Sequence, residues 1–252
     1  MIYIAFIIFT LFILLIVFYQ WQYFMIFSPL YYREEELCQE CKLMSVTTDD
    51  NLELEGALYE PKKANNTMLV FVGRSHDAVG LINRFAKLYP QTRIITFNYR
   101  SYGRSQGDAN EKNLLSDAIL IAKLVQKNYG DFYLLGFSIG SSIAAYVASK
   151  VPVKALFLIG AFSSIASLAK IKYKINFSYL LRYKFNTKEF LKNVHVPVYL
   201  FVSKKDEIAY IESARELKKI VKNLHYKEFD NLSHKELLWN ENVVQTIQKE
   251  LQ

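Results

Sequence analysis

The pentapeptide Gly136-Phe137-Ser138-Ile139-Gly140 sets one serine between two glycines, where an apolar run, "FYLLGF", gives way to a run with helical spacing, "SSIAAYVASK". G-x-S-x-G between a strand and a helix is the pattern of a serine lifted to the tip of a sharp turn, within reach of a substrate. Glycine suits both flanks because a Cβ there would meet neighbouring backbone. The chemistry open to such a serine is attack on an acyl carbon. It needs a histidine to take the hydroxyl proton, an acid to orient that histidine, and N–H groups to receive the oxyanion. An ordinary glycine-bounded turn around an inert serine is the alternative that the pentapeptide leaves open.

Four histidines are available. His195 and His225 precede or open the apolar runs "VPVYLFVS" and "LHYKEF", which puts them at the wrong end of a sheet. His76 follows "MLVFVG" at the right end but comes before the serine, whereas the order serine, acid, histidine goes with this kind of turn. His234, in "FDNLSHKELL", falls in the loop after the last strand and before the last helix and is the expected base. Asp206, just past "VPVYLFVS", is the expected acid, with Asp230 as its rival and Glu207 as a solvated loop charge. The backbone N–H of Ile139 and of Arg74, in the loop after "MLVFVG", are the expected oxyanion donors. The Arg74 side chain is left either to solvent or to an anionic group on a substrate. No metal or organic cofactor follows from this set.

The elements that must hold these residues are legible as alternation. Apolar runs at 68–73, 93–99, 132–137, 155–160 and 196–203 suit strands buried on both faces. Between and after them "LINRFAKLY", "NLLSDAILIAKLVQKNY", "SSIAAYVASK", "ESARELKKIVKN" and "NVVQTIQKEL" carry apolar residues three and four apart, as helices do. "LMSVTT" and "LELEGALYE" flank Asp49-Asp50-Asn51 and predict a hairpin. The expected architecture is α/β: a mostly parallel central sheet with helices on both faces, entered through an antiparallel hairpin. With 252 residues, 52% of them hydrophobic, the chain suits one α/β domain better than two small ones.

Residues 1–32 contain no charged side chain and are apolar for long enough to cross a bilayer. They lack the basic start and small-residue cleavage site of a removed signal peptide, so a retained single-pass signal anchor is expected. Tyr19, Trp21, Tyr23, Tyr31 and Tyr32 resemble an interfacial belt, and Arg33 and Lys42 after the span lean the body toward the cytoplasmic side. The formal net charge is +7. Within residues 161–195, Lys170, Lys172, Lys174, Arg182, Lys184, Lys188 and Lys192 alternate with Phe177, Tyr179, Tyr183 and Phe185. Such interleaving suits either a face resting on anionic headgroups or a solvated lysine-rich surface. No nucleic-acid-binding motif accompanies it. Cys38 and Cys41 are too few for a disulfide-dense scaffold or a four-cysteine zinc site, and leave open a local disulfide, a thiol pair or chance.

With these positions placed, residues 43–250 resemble the α/β-hydrolase superfamily, and within it the serine hydrolases that carry one N-terminal span. "NYRSYGRSQG" (98–107) is similar to the N-Y-R-G-Y-G-x-S-x-G stretch of that group, with Ser101 for the middle glycine. "SKKDEIAY" is similar to its G-x-x-D-x-x-x-P acid loop, departing at Ser203 and Tyr210. "FVGRSHD" is similar to its F-H-G-N-A oxyanion loop, departing at Val72 and Arg74. The resemblance implies an α/β-hydrolase domain over 43–252, a cap insertion at 161–195, and an esterase, thioesterase or lipase acting on a small-molecule, lipid or acyl-protein substrate at a membrane. A non-catalytic membrane-tethered protein that keeps the fold, and a serine peptidase, are the alternatives.

Overall fold

The computed structural model describes residues 2–30, 36–176 and 178–252. The interfacial aromatics Tyr31 and Tyr32, the orienting Arg33 and the cap residue Phe177 lie outside the described residues. The chain opens with helix α1 (Ile2–Ile26), then β1 (Cys41–Thr47) and β2 (Glu53–Tyr59), which pair antiparallel around the polar turn at 49–51. Asn51 takes φ +59° there, a conformation that short polar side chains tolerate. Cys38 and Cys41 are joined by a disulfide at the turn before β1, which resolves the choice the sequence leaves open.

From β3 (Asn66–Phe71) onward strands and helices alternate: α2 (Ile82–Leu88), β4 (Thr92–Phe97), α3 (Glu111–Tyr129), β5 (Tyr133–Phe137), α4 (Ile139–Ala148) and β6 (Leu156–Ile159). After β6 come α5 (Ile165–Tyr173), a 3₁₀ turn (Ser178–Leu180) and α6 (Thr187–Leu191). The chain then returns to β7 (Val198–Ser203), α7 (Ile211–Lys218), β8 (Leu224–Phe229), α8 (His234–Trp239) and α9 (Glu241–Glu250). The eight strands order as β1-β2-β4-β3-β5-β6-β7-β8. β2 runs antiparallel to both its neighbours and the pairs from β4 to β8 are parallel.

Because β3 to β7 are covered on both faces, nearly all their residues are buried, which is why they read as unbroken apolar runs. One core layer packs α3, α4 and α7 on the sheet through Leu114, Ile121, Ile143, Val147 and Leu217. The other packs α2, α8 and α9 through Ile82, Phe85, Leu237, Val243 and Ile247. β4 lies on one side of β3 and β5 on the other. The strand order reverses between β3 and β5, so the loops leaving their carboxyl ends part and open a crevice. The loop with Arg74 and the turn with Ser138 both emerge there.

Candidate active site

Ser138 is the hinge between β5 and α4 and holds φ +56°, ψ −121°, a left-handed-side conformation that costs a non-glycine residue on the order of 1–3 kcal/mol. The glycines around it are obligatory for a steric reason. A Cβ on Gly136 would stand 2.4 Å from the Gly140 carbonyl oxygen, and one on Gly140 would stand 2.1 Å from that of Phe71. The turn therefore packs α4 straight onto β3. The Ser138 N–H is held by the Ile159 carbonyl at 2.9 Å. Ile139 begins α4, so its N–H belongs to the first-turn donors that have no partner inside the helix.

Asp206 stands three residues past β7. Its Oδ1 accepts from the N–H of Ile208 (2.9 Å) and Ala209 (2.8 Å), and its Oδ2 lies 2.7 Å from His234 Nδ1. Both side chains are buried, Asp206 at 3% exposure and His234 at 7%. A carboxylate accepts, so the contact assigns the proton to Nδ1 and leaves the Nε2 lone pair pointing away from the acid. The His234 ring lies 4.8 Å from that of Phe137, the residue before the serine. His234 opens α8, whereas the sequence reading places it in a loop. Ser233 and Glu236 form a reciprocal capping box around that helix start, with Ser233 N–H donating to Glu236 Oε2 at 2.7 Å. The His234 side chain is thus fixed by a helix terminus as well as by Asp206.

The rival acid stands apart. Asp230 is 72% exposed and pairs with Lys204 Nζ at 2.6 Å. His225 stacks on Tyr199 with ring centroids 4.3 Å apart, at the amino end of β8, and His195 is exposed. His76 sits at the correct end, its ring 5.6 Å from Phe137, and burial pushes its pKa below the ordinary histidine value.

The loop after β3 is held from outside by two tyrosines. Tyr99 Oη donates to the Val72 carbonyl at 2.7 Å and Tyr102 Oη donates to the Arg74 carbonyl at 2.6 Å. The Arg74 guanidinium donates to the Met25 carbonyl, capping the carboxyl end of α1, and the residue is exposed toward the cavity described below. The 98–107 stretch is the frame for this loop. Asn98 Oδ1 accepts from Ala78 N–H at 2.7 Å while its Nδ2 donates to Asp77 at 2.8 Å. Arg100 forks onto buried Asp117 and onto Asp50, each at 2.7–2.8 Å. Ser101 adopts φ +69°, so it fills a position glycine would take without strain, and its hydroxyl compensates by donating to the Gly107 carbonyl at 2.8 Å.

Gly160 carries no role in the sequence reading beyond closing an apolar run. It has φ +57°, and a Cβ there would stand 2.9 Å from His234 Cε1 and 3.6 Å from Asp206 Oδ2. Its missing side chain makes room for the Asp206–His234 pair. The available signal was a glycine at the carboxyl end of a buried strand.

Above the serine lies a cavity of about 440 Å³, within the size range of small-molecule sites. Ser138, Ile139 and Arg74 form its floor and Phe162, Ile165 and Leu168 one wall. A hollow of about 340 Å³ at Tyr59, Lys62 and Gln91 lies at the opposite end of the sheet, remote from Ser138.

Residues 71–192 match the family model for the alpha/beta hydrolase fold. An esterase of Pyrococcus furiosus superposes with a TM-score of 0.67 over 89% of this chain and 98% of that one, at 18% identity. The chain is an α/β-hydrolase-fold protein. An esterase domain from Rhodothermus marinus superposes with a TM-score of 0.62 over 84% of this chain and 96% of that one, at 17% identity. At such identities the likeness concerns the fold. In sequence, the chain is 27% identical over 202 residues to an uncharacterized protein of Acanthamoeba polyphaga mimivirus, 71% of this chain and 69% of that one. It is 30% identical over 84 residues to lysophosphatidylserine lipase ABHD12 of Danio rerio, 31% of this chain but 22% of that lipase. Against the same lipase of Macaca fascicularis it is 25% identical over 148 residues, 36% of that protein's length.

Proposed function

We propose that this protein is a serine hydrolase that cleaves the carboxylic ester or thioester of an acyl-chain substrate while held to a membrane by α1. The observation that carries the reading is the buried 2.7 Å pairing of Asp206 with His234, packed against the residue that precedes Ser138. Ser138 Oγ attacks the acyl carbon as His234 Nε2 takes its proton, and the Ile139 and Arg74 N–H groups receive the oxyanion. When the bond to the leaving alcohol or thiol breaks, His234 returns that proton to it. Water then attacks the acyl-enzyme by the same route and frees the acid and the serine. Asp206 holds the imidazole throughout.

Three further features support the reading. The fold neighbours include esterases, the weak sequence relatives include a lipase, and the cavity walls are mainly apolar. Among the described residues α1 alone is long and apolar enough to cross a membrane, 25 residues without a charge, which supports single-pass anchoring. The test is hydrolysis of p-nitrophenyl acetate and p-nitrophenyl palmitate by the full chain in detergent micelles. A burst of one p-nitrophenolate per protein, lost in Ser138→Ala, is expected. A folded protein that turns over neither ester favours the non-catalytic tethered alternative.

A further inference from the structure

The carboxyl-terminal third of α1 does more than lead the chain out of a bilayer. Phe18, Gln22, Met25 and Ile26 fall at i, i+4, i+7 and i+8, one stripe of the helix, and all four line the cavity above Ser138. Phe18, Met25 and Ile26 are half-buried and Gln22 is 4% exposed, while Phe24, off that stripe, is exposed.

Gln22 explains how the stripe is fixed. A polar amide in an uncharged span is costly unless it finds partners, and this one finds two. Its Nε2 donates to the Leu180 carbonyl at 2.9 Å and its Oε1 accepts from Arg182 N–H at 2.7 Å. Both partners belong to the insertion that forms the opposite wall. Below it, Phe27 is buried with its ring 5.0 Å from Tyr183. The helix end is tied to the floor as well: Tyr102 Oη accepts from Ser28 N–H at 3.0 Å while donating to the Arg74 carbonyl. Ser28, Tyr102 and Arg74 thus form one hydrogen-bonded chain from the exit of the anchor to the loop over the serine.

Residues 2 to 17 of α1 are exposed and uncharged, and the stripe beginning at Phe18 continues from them without a break, so an acyl chain lying along the helix meets the stripe directly. Beside it the insertion presents Tyr179, 97% exposed, with Ile175 and Leu180. These are large apolar groups at the place where a membrane surface would meet them.

We propose that the end of the anchor is a wall of the substrate site: Phe18 and Met25 contact the acyl chain, which enters from the leaflet along α1, and Gln22 positions them. The proposal rests on the hydrolase reading for its chemistry, though the wall is defined by binding. Two readouts on the full chain in lipid nanodiscs separate the two. The first is the ratio of kcat/KM for p-nitrophenyl palmitate to that for p-nitrophenyl acetate. Met25→Trp, which fills the cavity, is expected to lower that ratio at least tenfold, and Phe18→Ala to move the preferred chain length. Phe24→Trp on the exposed face is expected to leave it unchanged. The second is photocrosslinking of a diazirine-bearing palmitate in the Ser138→Ala background, mapped to the peptide containing Phe162, Ile165 and Leu168. Met25→Trp, at unchanged Tm, is expected to remove that adduct. If the wild-type chain crosslinks there but hydrolyses neither ester, the wall stands and the hydrolase reading fails. If Met25→Trp leaves both the ratio and the adduct as in wild type, or no adduct forms there at all, the wall is overturned.

Discussion

The strand-end cluster around Ser138 and the anchor–insertion pair above it are built by different means. Gly160 and Asp206 follow the ends of buried strands and Gly140 and His234 open the helices beside them, and each is locked by a short hydrogen bond or by the steric need for a missing Cβ. The insertion is built in two ways: Phe162, Phe185 and Leu191 are buried in the core and the Phe185 N–H donates to Glu111, whereas α5 and the 3₁₀ turn bury no residue and the stretch around Leu180 and Arg182 is held by Gln22 of α1. Precision of geometry therefore resides in the sheet, while the shape of the cavity mouth resides in a layer that leans on the apolar helix α1. Under the proposed function, substrate preference can change in that upper layer while the chemistry stays fixed below.

The comparison predicts effects that differ in size and kind. The largest belongs to the acid. Asp206→Asn is expected to lower kcat by about ten-thousand-fold on any ester, because the imidazole loses its orienting carboxylate. Asp230→Asn, which touches only Lys204, is expected to leave the rate unchanged. Next comes the frame beneath the floor loop. Arg100→Met leaves Asp117 buried without its guanidinium, expected to cost about 3–5 kcal/mol. Thermal unfolding should register this as a drop in Tm of about 10 °C.

Gly160→Ala tests the sheet layer without unfolding it. The added methyl would press on His234 Cε1, and a displacement of that order is expected to reduce kcat by about a hundredfold. Steady-state kinetics set beside an unchanged circular dichroism spectrum would check this. The smallest global effect belongs to the upper layer. Gln22→Leu strands the Leu180 carbonyl and the Arg182 N–H, a local loss of about 1–3 kcal/mol. It is expected to speed proteolysis within 174–182 while leaving the main unfolding transition in place. A uniform loss of stability would instead show that the two layers unfold as one.

The same division governs what the sequence reveals. Strands buried on both faces must be apolar throughout, so β3 to β7 are visible as runs, and the glycines at 136 and 140 mark a turn because nothing larger fits. Asp206 lies three residues past β7 and Asp230 directly past β8, so position at a strand's end alone does not separate them; the contact that does, Asp206 with His234, is a tertiary one. Two hairpin strands, β1 and β2, follow from the polar turn between them. By contrast α6 and α8 are helices of five and six residues, too short for a repeating pattern, and His234 reads as a loop residue for that reason. Gly160 matters through a contact 74 residues away in sequence, which no local pattern encodes. Tyr102 and Arg74 are visible as motif residues, but their joint tie to the end of α1 depends on where the anchor docks. Gln22 is one of two amides near the end of an uncharged helix, and nothing local distinguishes it from the exposed Gln20.

The central claim is that Ser138 is a nucleophile activated by His234 and Asp206. Its most direct test is incubation of the folded full chain with a fluorophosphonate probe, followed by mass mapping of the adduct. The account predicts stoichiometric modification of Ser138 in the wild type, with a rate that collapses in His234→Ala and Asp206→Asn. A folded chain that stays unmodified at Ser138, or that labels equally fast in all three forms, would contradict it.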